Sequence, residues 1–222
     1  MMENLVSLWD SAHPHDIEEG CKAYERYNKT LHRFAEWYGF GIVPTVEAFA
    51  ALSPNNDYHG NLRSLASVLQ FVAAPHISGY KVSTYRACAE RAITYLTGEV
   101  SFLDTVIGPK IRAFRHNLLY PDTSKEVTVD GHMLHAWLGT SGTMKDAASE
   151  MSLKRYRLIA ADIQRMARAH KLLPHQVQAA LWITRKRQGA IKLDKQQSLF
   201  HAQTDLGKAD VYPKDYPPYP TA

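Results

Sequence analysis

Apolar and aromatic side chains recur at three- and four-residue steps along almost the whole chain, a period that helices satisfy and strands do not. Tyr24, Tyr27, Leu31, Phe34 and Tyr38 mark one helix over residues 18–38, with Gly39 as its stop. Pro44 suits the first turn of a second helix running to about Leu52, and Ser53-Pro54-Asn55-Asn56-Asp57 must interrupt it. Leu62, Leu65, Ala66, Leu69 and Val72 define a third. Ser83 is placed to cap a fourth that reaches Leu96, where Gly98 ends it. A short helix around Phe102 follows, then helices over 111–119, 132–138, 149–170 and 174–187, the last opened by Pro174. The β-branched run Val127–Val129 is the one strand-like segment, and the tail VYPKDYPPYPTA reads as extended or disordered. The predicted class is all-α.

At 222 residues and 45% hydrophobic, the chain can bury one substantial core or two small interleaved ones. No apolar run approaches the roughly 20 residues that span a bilayer. The beginning, MMENLVSLWDSAHPHDIEEG, is acidic and lacks the basic flank of a secretory signal. Cys21 and Cys88 are too few for a disulfide framework or a four-cysteine cluster, which points to a reducing cytoplasm. His13/His15 and His132/His135 lack a third ligand at a zinc spacing, so no metal is expected there. The sequence contains no phosphate-binding G-x-x-x-x-G-K-[ST] loop, dinucleotide fingerprint or G-x-S-x-G elbow, which argues against nucleotide-driven and acyl-transfer chemistry.

Charge is segregated. Residues 1–60 hold four Lys/Arg against nine Asp/Glu, whereas residues 151–195 hold eleven against two, a local balance of +9. Solvated helix faces usually mix signs, so this asymmetry points to a polyanionic partner, most simply a nucleic-acid backbone.

Three segments carry residues suited to chemistry on such a partner. Gly108-Pro109-Lys110 opens a helix, where free backbone amides form an anion site suited to one phosphate, and Arg112 and Arg115 follow as cationic neighbours. Twenty residues on, the run Val127-Thr128-Val129 delivers Asp130 to the start of another helix. Asp there serves as an N-cap, and can equally stabilise positive charge or position a nucleophile. The turn at Ser53–Asp57 is rich in side chains that bond their own backbone. Downstream, Gln178-Ala179-Ala180-Leu181-Trp182 reads as a packing segment for Trp182, and Arg185, Lys186 and Arg187 present charge from the same helix.

In order and separation these segments resemble the endonuclease III-like, helix-hairpin-helix DNA glycosylases. Ile107-Gly108-Pro109-Lys110 matches the second glycine and the lysine of the L-P-G-x-G-x-K hairpin. The leading proline and first glycine are absent, and Pro109 removes one amide. Val127-Thr128-Val129-Asp130-Gly131-His132 resembles the V-D-x-H element, and Leu52-Ser53-Pro54-Asn55 the L-S-x-Q turn that fills the hole left by an extruded nucleotide. The resemblance implies a helical barrel over residues 45–140, and a second helical subdomain from residues 1–44 and 141–195. Residues 196–222 are left as tail. It implies Asp130 and Lys110 as catalytic residues, with Lys110 either the C1′ nucleophile of a bifunctional glycosylase/lyase or a phosphate contact. Asn55 would be the wedge, with Asn56 or Tyr58 as alternates. Gly108, Arg112, Arg115, His132, Arg185, Lys186 and Arg187 would complete the DNA contacts. Endonuclease III itself carries a four-cysteine iron–sulfur cluster, which the two cysteines here cannot hold; a monovalent cation at the hairpin would fit, and the expected assembly is a monomer on DNA. The pattern S-P-N-N, G-P-K, V-T-V-D, Q-x-x-L-W is also similar to a phage-associated family of unknown function, which would place the chain in the host cytoplasm. Two other functions stay open: hypermodification of a phage DNA base on the same fold, and a DNA-binding module without catalysis.

Overall fold

The computed structural model describes residues 1–76 and 79–197. Among them are ten α-helices and one 3-10 turn: α1 (Met2–Asp10), α2 (Pro14–Tyr38), α3 (Ile42–Leu52), α4 (Tyr58–Ala73), α5 (Arg86–Thr97), the 3-10 turn Phe102–Asp104, α6 (Pro109–Leu119), α7 (Gly131–Leu138), α8 (Met144–Glu150), α9 (Leu153–His170) and α10 (Pro174–Gln197). The all-helical class read from the periodicity is therefore correct. No helix among the described residues is long and apolar enough to cross a membrane. The expectation for the tail lies, beyond Gln197, outside the described residues. The chain forms two compact units, Met1–Lys186 and Arg187–Ala222, and the first contains the apolar core.

Two apolar clusters organise this first unit. One gathers Tyr24 and Leu31 from α2, Val46, Ala48, Phe49, Ala51 and Leu52 of α3, Leu62 to Leu69 of α4, Ala89 to Leu96 of α5, Phe102 and Leu118. The second joins Leu5, Leu8 and Trp9 of α1 to Val127 and Val129, to α7, and to Ile159, Ile163 and Met166 of α9, with Val177 and Leu181 of α10. The aromatic stripe of α2 belongs with α3 and α6, as the edge-on Tyr24–Phe114 contact at 6.1 Å shows, and the segment Val127–Trp137 belongs with α1 and α9.

Other boundaries shift for local reasons. The α5 helix starts at Arg86 behind Tyr85 rather than at Ser83, whose own N–H is donated to Ser64 Oγ at 3.0 Å. A separate short helix, α8, not read from the sequence, precedes α9 and is opened by a reciprocal capping box of Thr143 and Asp146, so that α9 starts at Leu153 rather than at 149. Val127–Val129 pairs with no strand among the described residues. Its backbone is clamped by a side chain instead: the Tyr156 hydroxyl donates to the Val127 carbonyl at 2.6 Å, and burial pushes that phenol up to about 12.

α2 and α10 meet closely. A Cβ at Gly20 would lie 2.3 Å from the Ala180 backbone nitrogen, so this crossing admits no side chain on α2. The contact brings Tyr24 beside the first turn of α10, where the buried His175 ring lies edge-on at 5.1 Å. Burial drives the His175 imidazole from 6.5 down to about 4, opposed more weakly by the Pro121 backbone and the Asp122 carboxylate. The unfolded chain then binds the proton more readily than the folded one. Stability from this group is complete above about pH 6.5 and is lost as pH falls through about 4, on the order of 3 kcal/mol in all. Urea denaturation of His175→Phe across pH 4–7 is expected to show a flatter dependence than the parent; an unchanged slope would remove His175 as the cause.

Candidate active site

Asp130 ends the extended segment at φ −111° and ψ −175° and caps α7, its Oδ1 accepting the Met133 N–H at 3.0 Å. Its other oxygen, Oδ2, accepts the indole N–H of Trp182 at 3.0 Å. Both carboxylate oxygens are thus held, one from α7 and one from α10. The segment leading to Asp130 is anchored by a buried polar network. The Tyr24 hydroxyl lies 3.0 Å from both Thr128 Oγ1 and Gln178 Oε1, and Asn117 Nδ2 donates to Thr128 Oγ1 at 3.1 Å. Ser124 Oγ donates to Asn117 Oδ1 and lies 2.8 Å from His116 Nδ1, tying the preceding loop to α6. Satisfied networks of this kind hold one geometry. Removal of the phenol from water pushes the Tyr24 pKa well above the ordinary tyrosine range, so it is a fixed neutral partner.

Lys110 sits in the first turn of α6 and, with Asp130, lines one cavity of about 150 Å³. That volume matches a cavity that admits benzene, hence a single six-membered ring. Its walls are largely aromatic: Tyr24 and Tyr27 from α2, Phe49 from α3, Tyr58 from α4, Phe114 from α6 and Trp182 from α10. Tyr27 and Tyr58 stack with centroids 4.4 Å apart and planes 17° from parallel. Burial, with the neighbouring Tyr58 phenol, pushes Tyr27 up to about 12, so this ring stays neutral at physiological pH. The polar lining comes from Ser53, Asn56, Asp57, Asn61, Thr128 and Gln178.

The turn between α3 and α4 supplies one side of the cavity. Asp57 caps α4 by accepting the Gly60 N–H at 2.6 Å, and Asn56 Nδ2 reaches the Leu52 carbonyl at 3.3 Å. A Cβ at position 60 would sit 2.4 Å from Asn56 Oδ1, so the glycine is what lets Asn56 fold back. Asn55 occupies the exposed tip in the left-handed region, φ 53°, a conformation asparagine tolerates. It lies outside the cavity lining, whereas Asn56 and Tyr58, read as alternates to it, form part of the wall.

Several sequence expectations change. A 3-10 turn, not a helix, precedes the Gly-Pro step, and Thr105 to Ile107 run on without helix. Gly108 has φ −64°, which any residue adopts, and open space around its Cβ position, so no tight turn requires glycine there. Arg115, expected among the DNA contacts, turns inward: its Nε and Nη2 donate to Glu47 Oε1 at 2.9 and 2.6 Å, and its guanidinium lies over the Phe102 ring. Two N–H groups on one carboxylate offset the cost of taking both charges out of water. Arg112 stays on α6, away from the cavity lining. Trp182 packs against the second apolar cluster, as read, but is half-buried and also bonded to Asp130. Burial of the ring N–H required a partner, a signal the sequence carried in the tryptophan itself.

His132 stands edge-on to Trp182 at 5.9 Å. Its pKa is lowered, chiefly by burial and further by Lys186, His135 and Arg185, against the opposing charge of Asp130. Lys186 places its ammonium 4.9 Å over the Trp182 ring, and Arg185 donates to the Thr140 carbonyl. Arg187 follows on α10 and begins the second compact unit. On α9, Lys154, Arg157, Arg165 and Arg168 are set apart from the buried Tyr156, Ile159, Ile163 and Met166 and face solvent. Among the described residues no group of three or more His, Cys, Asp or Glu is placed to hold a metal ion.

No curated protein and no solved structure matches the chain. One family model covers residues 1–189, nearly the whole of the described structure and every residue of the cavity. The chain belongs to that family, described as Family of unknown function (DUF7178).

Proposed function

We propose that the protein is a DNA glycosylase-like enzyme that receives an extruded base in the aromatic cavity and breaks its bond to deoxyribose. One observation carries the reading: Lys110 and Asp130, 20 residues apart and on different elements, line the same ring-sized, aromatic-walled cavity. Stacked aromatic walls suit a flat base taken out of the duplex. The exposed basic stripe of α9 suits a phosphate backbone.

In the bifunctional form, the Lys110 Nζ lone pair bonds to C1′ as the C1′–N bond to the base breaks. The base leaves with that electron pair and takes up a proton, matching the one the attached amine gives up. Opening of the C1′–O4′ bond, with a proton from water to O4′, leaves an iminium joining protein and sugar. Asp130 stabilises positive charge developing on the sugar as the base departs. In the water-only form, Asp130 positions the attacking water and Lys110 holds a phosphate.

The test is nucleoside and base analysis after incubation with DNAs carrying damaged or hypermodified bases. Free base in the supernatant is the expected product. Altered nucleosides without release would replace excision by base modification, and DNA retention without either product would leave a binding module.

A further inference from the structure

A residue of the cavity wall carries a buried polar atom that its own protein does not satisfy. Asn61, on α4, is 3% exposed and lines the cavity. Its Nδ2 donates to the Phe49 carbonyl at 3.0 Å. That carbonyl falls in the last turn of α3, where the Ser53 N–H goes to Ala50 instead. Phe49 oxygen can only accept, so the amide has one permitted orientation, with the NH2 towards Phe49 and Oδ1 left over. Oδ1 is buried and has no hydrogen-bond partner among the described residues. Other polar groups of the wall are engaged: Gln178 with Tyr24, Asp57 with Gly60, Asp130 with Met133 and Trp182. Buried acceptors are almost always met, and an unmet one in a binding cavity is matched to a donor on the ligand.

We propose that Asn61 is the specificity residue of this cavity, its Oδ1 accepting a hydrogen bond from an N–H on the edge of a single-ring nucleobase. The ring lies among Tyr27, Tyr58, Phe49 and Phe114 while Asn61 reads its edge. A ring of the same shape with that N–H methylated is rejected, because the acceptor is then left unpaired against an apolar group. This assignment rests on the reading of the cavity as a base pocket.

The test measures binding of small rings to the full chain by NMR titration. Two pairs of probes are used: N1-methyluracil with its N1,N3-dimethyl derivative, and N1-methylcytosine with its exocyclic N,N-dimethyl derivative. The N1 methyl stands in for the sugar. In the wild-type chain, the donor-bearing member of at least one pair is expected to bind about tenfold more tightly. Asn61→Leu is expected to cut that preference below about twofold, and Asn61→Asp, which keeps an acceptor, to retain it. The wild-type comparison decides even if a variant fails to fold. Equal binding within both pairs overturns the assignment, as does a preference that survives Asn61→Leu. If DNA base release proceeds while both pairs bind alike, the base-pocket reading stands and Asn61 loses its role. Absence of ring binding and base release together removes both.

Discussion

Replacing Lys110 by Gln is expected to abolish the covalent protein–DNA adduct that borohydride traps from the wild-type chain. Reduction fixes an iminium only where an amine has attached to C1′, and Lys110 is the lysine lining the cavity. Gln keeps polarity and much of the length but offers no nucleophilic lone pair, so any fall in adduct yield reports chemistry rather than packing. Asp130→Asn is expected to lower base release by about 100-fold or more, since a neutral amide no longer offsets positive charge on the sugar. The amide NH2 would also confront one of two donors, Met133 N–H or Trp182 N–H, that the carboxylate accepts. Thermal melting of both variants separates this loss from unfolding. An adduct that persists in Lys110→Gln would assign the nucleophile elsewhere. Base release with no adduct in the parent would leave Asp130 and water.

The second large effect concerns stability. Glu47→Ala is expected to cost roughly 3–5 kcal/mol, measured as a lower urea midpoint at unchanged slope. The Arg115 and Glu47 side chains are only 16% and 11% exposed, joined by two bonds to one carboxylate oxygen. Removing the carboxylate strands a guanidinium beneath the surface with the Phe102 ring against its face. Replacing both partners, as Glu47→Leu with Arg115→Met, is expected to restore much of the loss, because the desolvation cost disappears with the charges. A loss below about 1 kcal/mol in Glu47→Ala would mean that water reaches the pair.

The helices were legible in the sequence because α2 repeats large aromatics every turn, and α4 does the same with leucine. Their ends were less legible, since caps depend on where a side chain is already spent. Ser83 looks like an N-cap, yet the helix opens only behind Tyr85, and Thr143 and Asp146 form a readable capping box that the longer apolar run of α9 obscured. Asp130 stood out because an extended run delivers a carboxylate to a helix start, where it is useful whatever else it does. Lys110 and Asp130 could be placed at their element boundaries, but their sharing of one cavity depends on how α6 packs on α2 and α3 and on the bond that holds Asp130 to Trp182 of α10. Arg115 shows the converse. Nothing in its own neighbourhood distinguishes an outward cation from one drawn in by Glu47, 68 residues away. Tyr27 and Asn61 were invisible as site residues for the same reason. In the sequence one is a member of a helical stripe and the other a polar residue near a turn.

The indole bond to Asp130 also gives the protein a built-in optical reporter. Of four tryptophans, Trp9 and Trp137 are buried in the second cluster and Trp37 is 62% exposed, which leaves Trp182 at the cavity wall. Its emission depends on a hydrogen bond to a carboxylate, a cation over its face and whatever lies against its edge. With Trp37 replaced by Phe to quiet the surface signal, occupancy of the cavity would be readable from intrinsic fluorescence, with no label on protein or DNA.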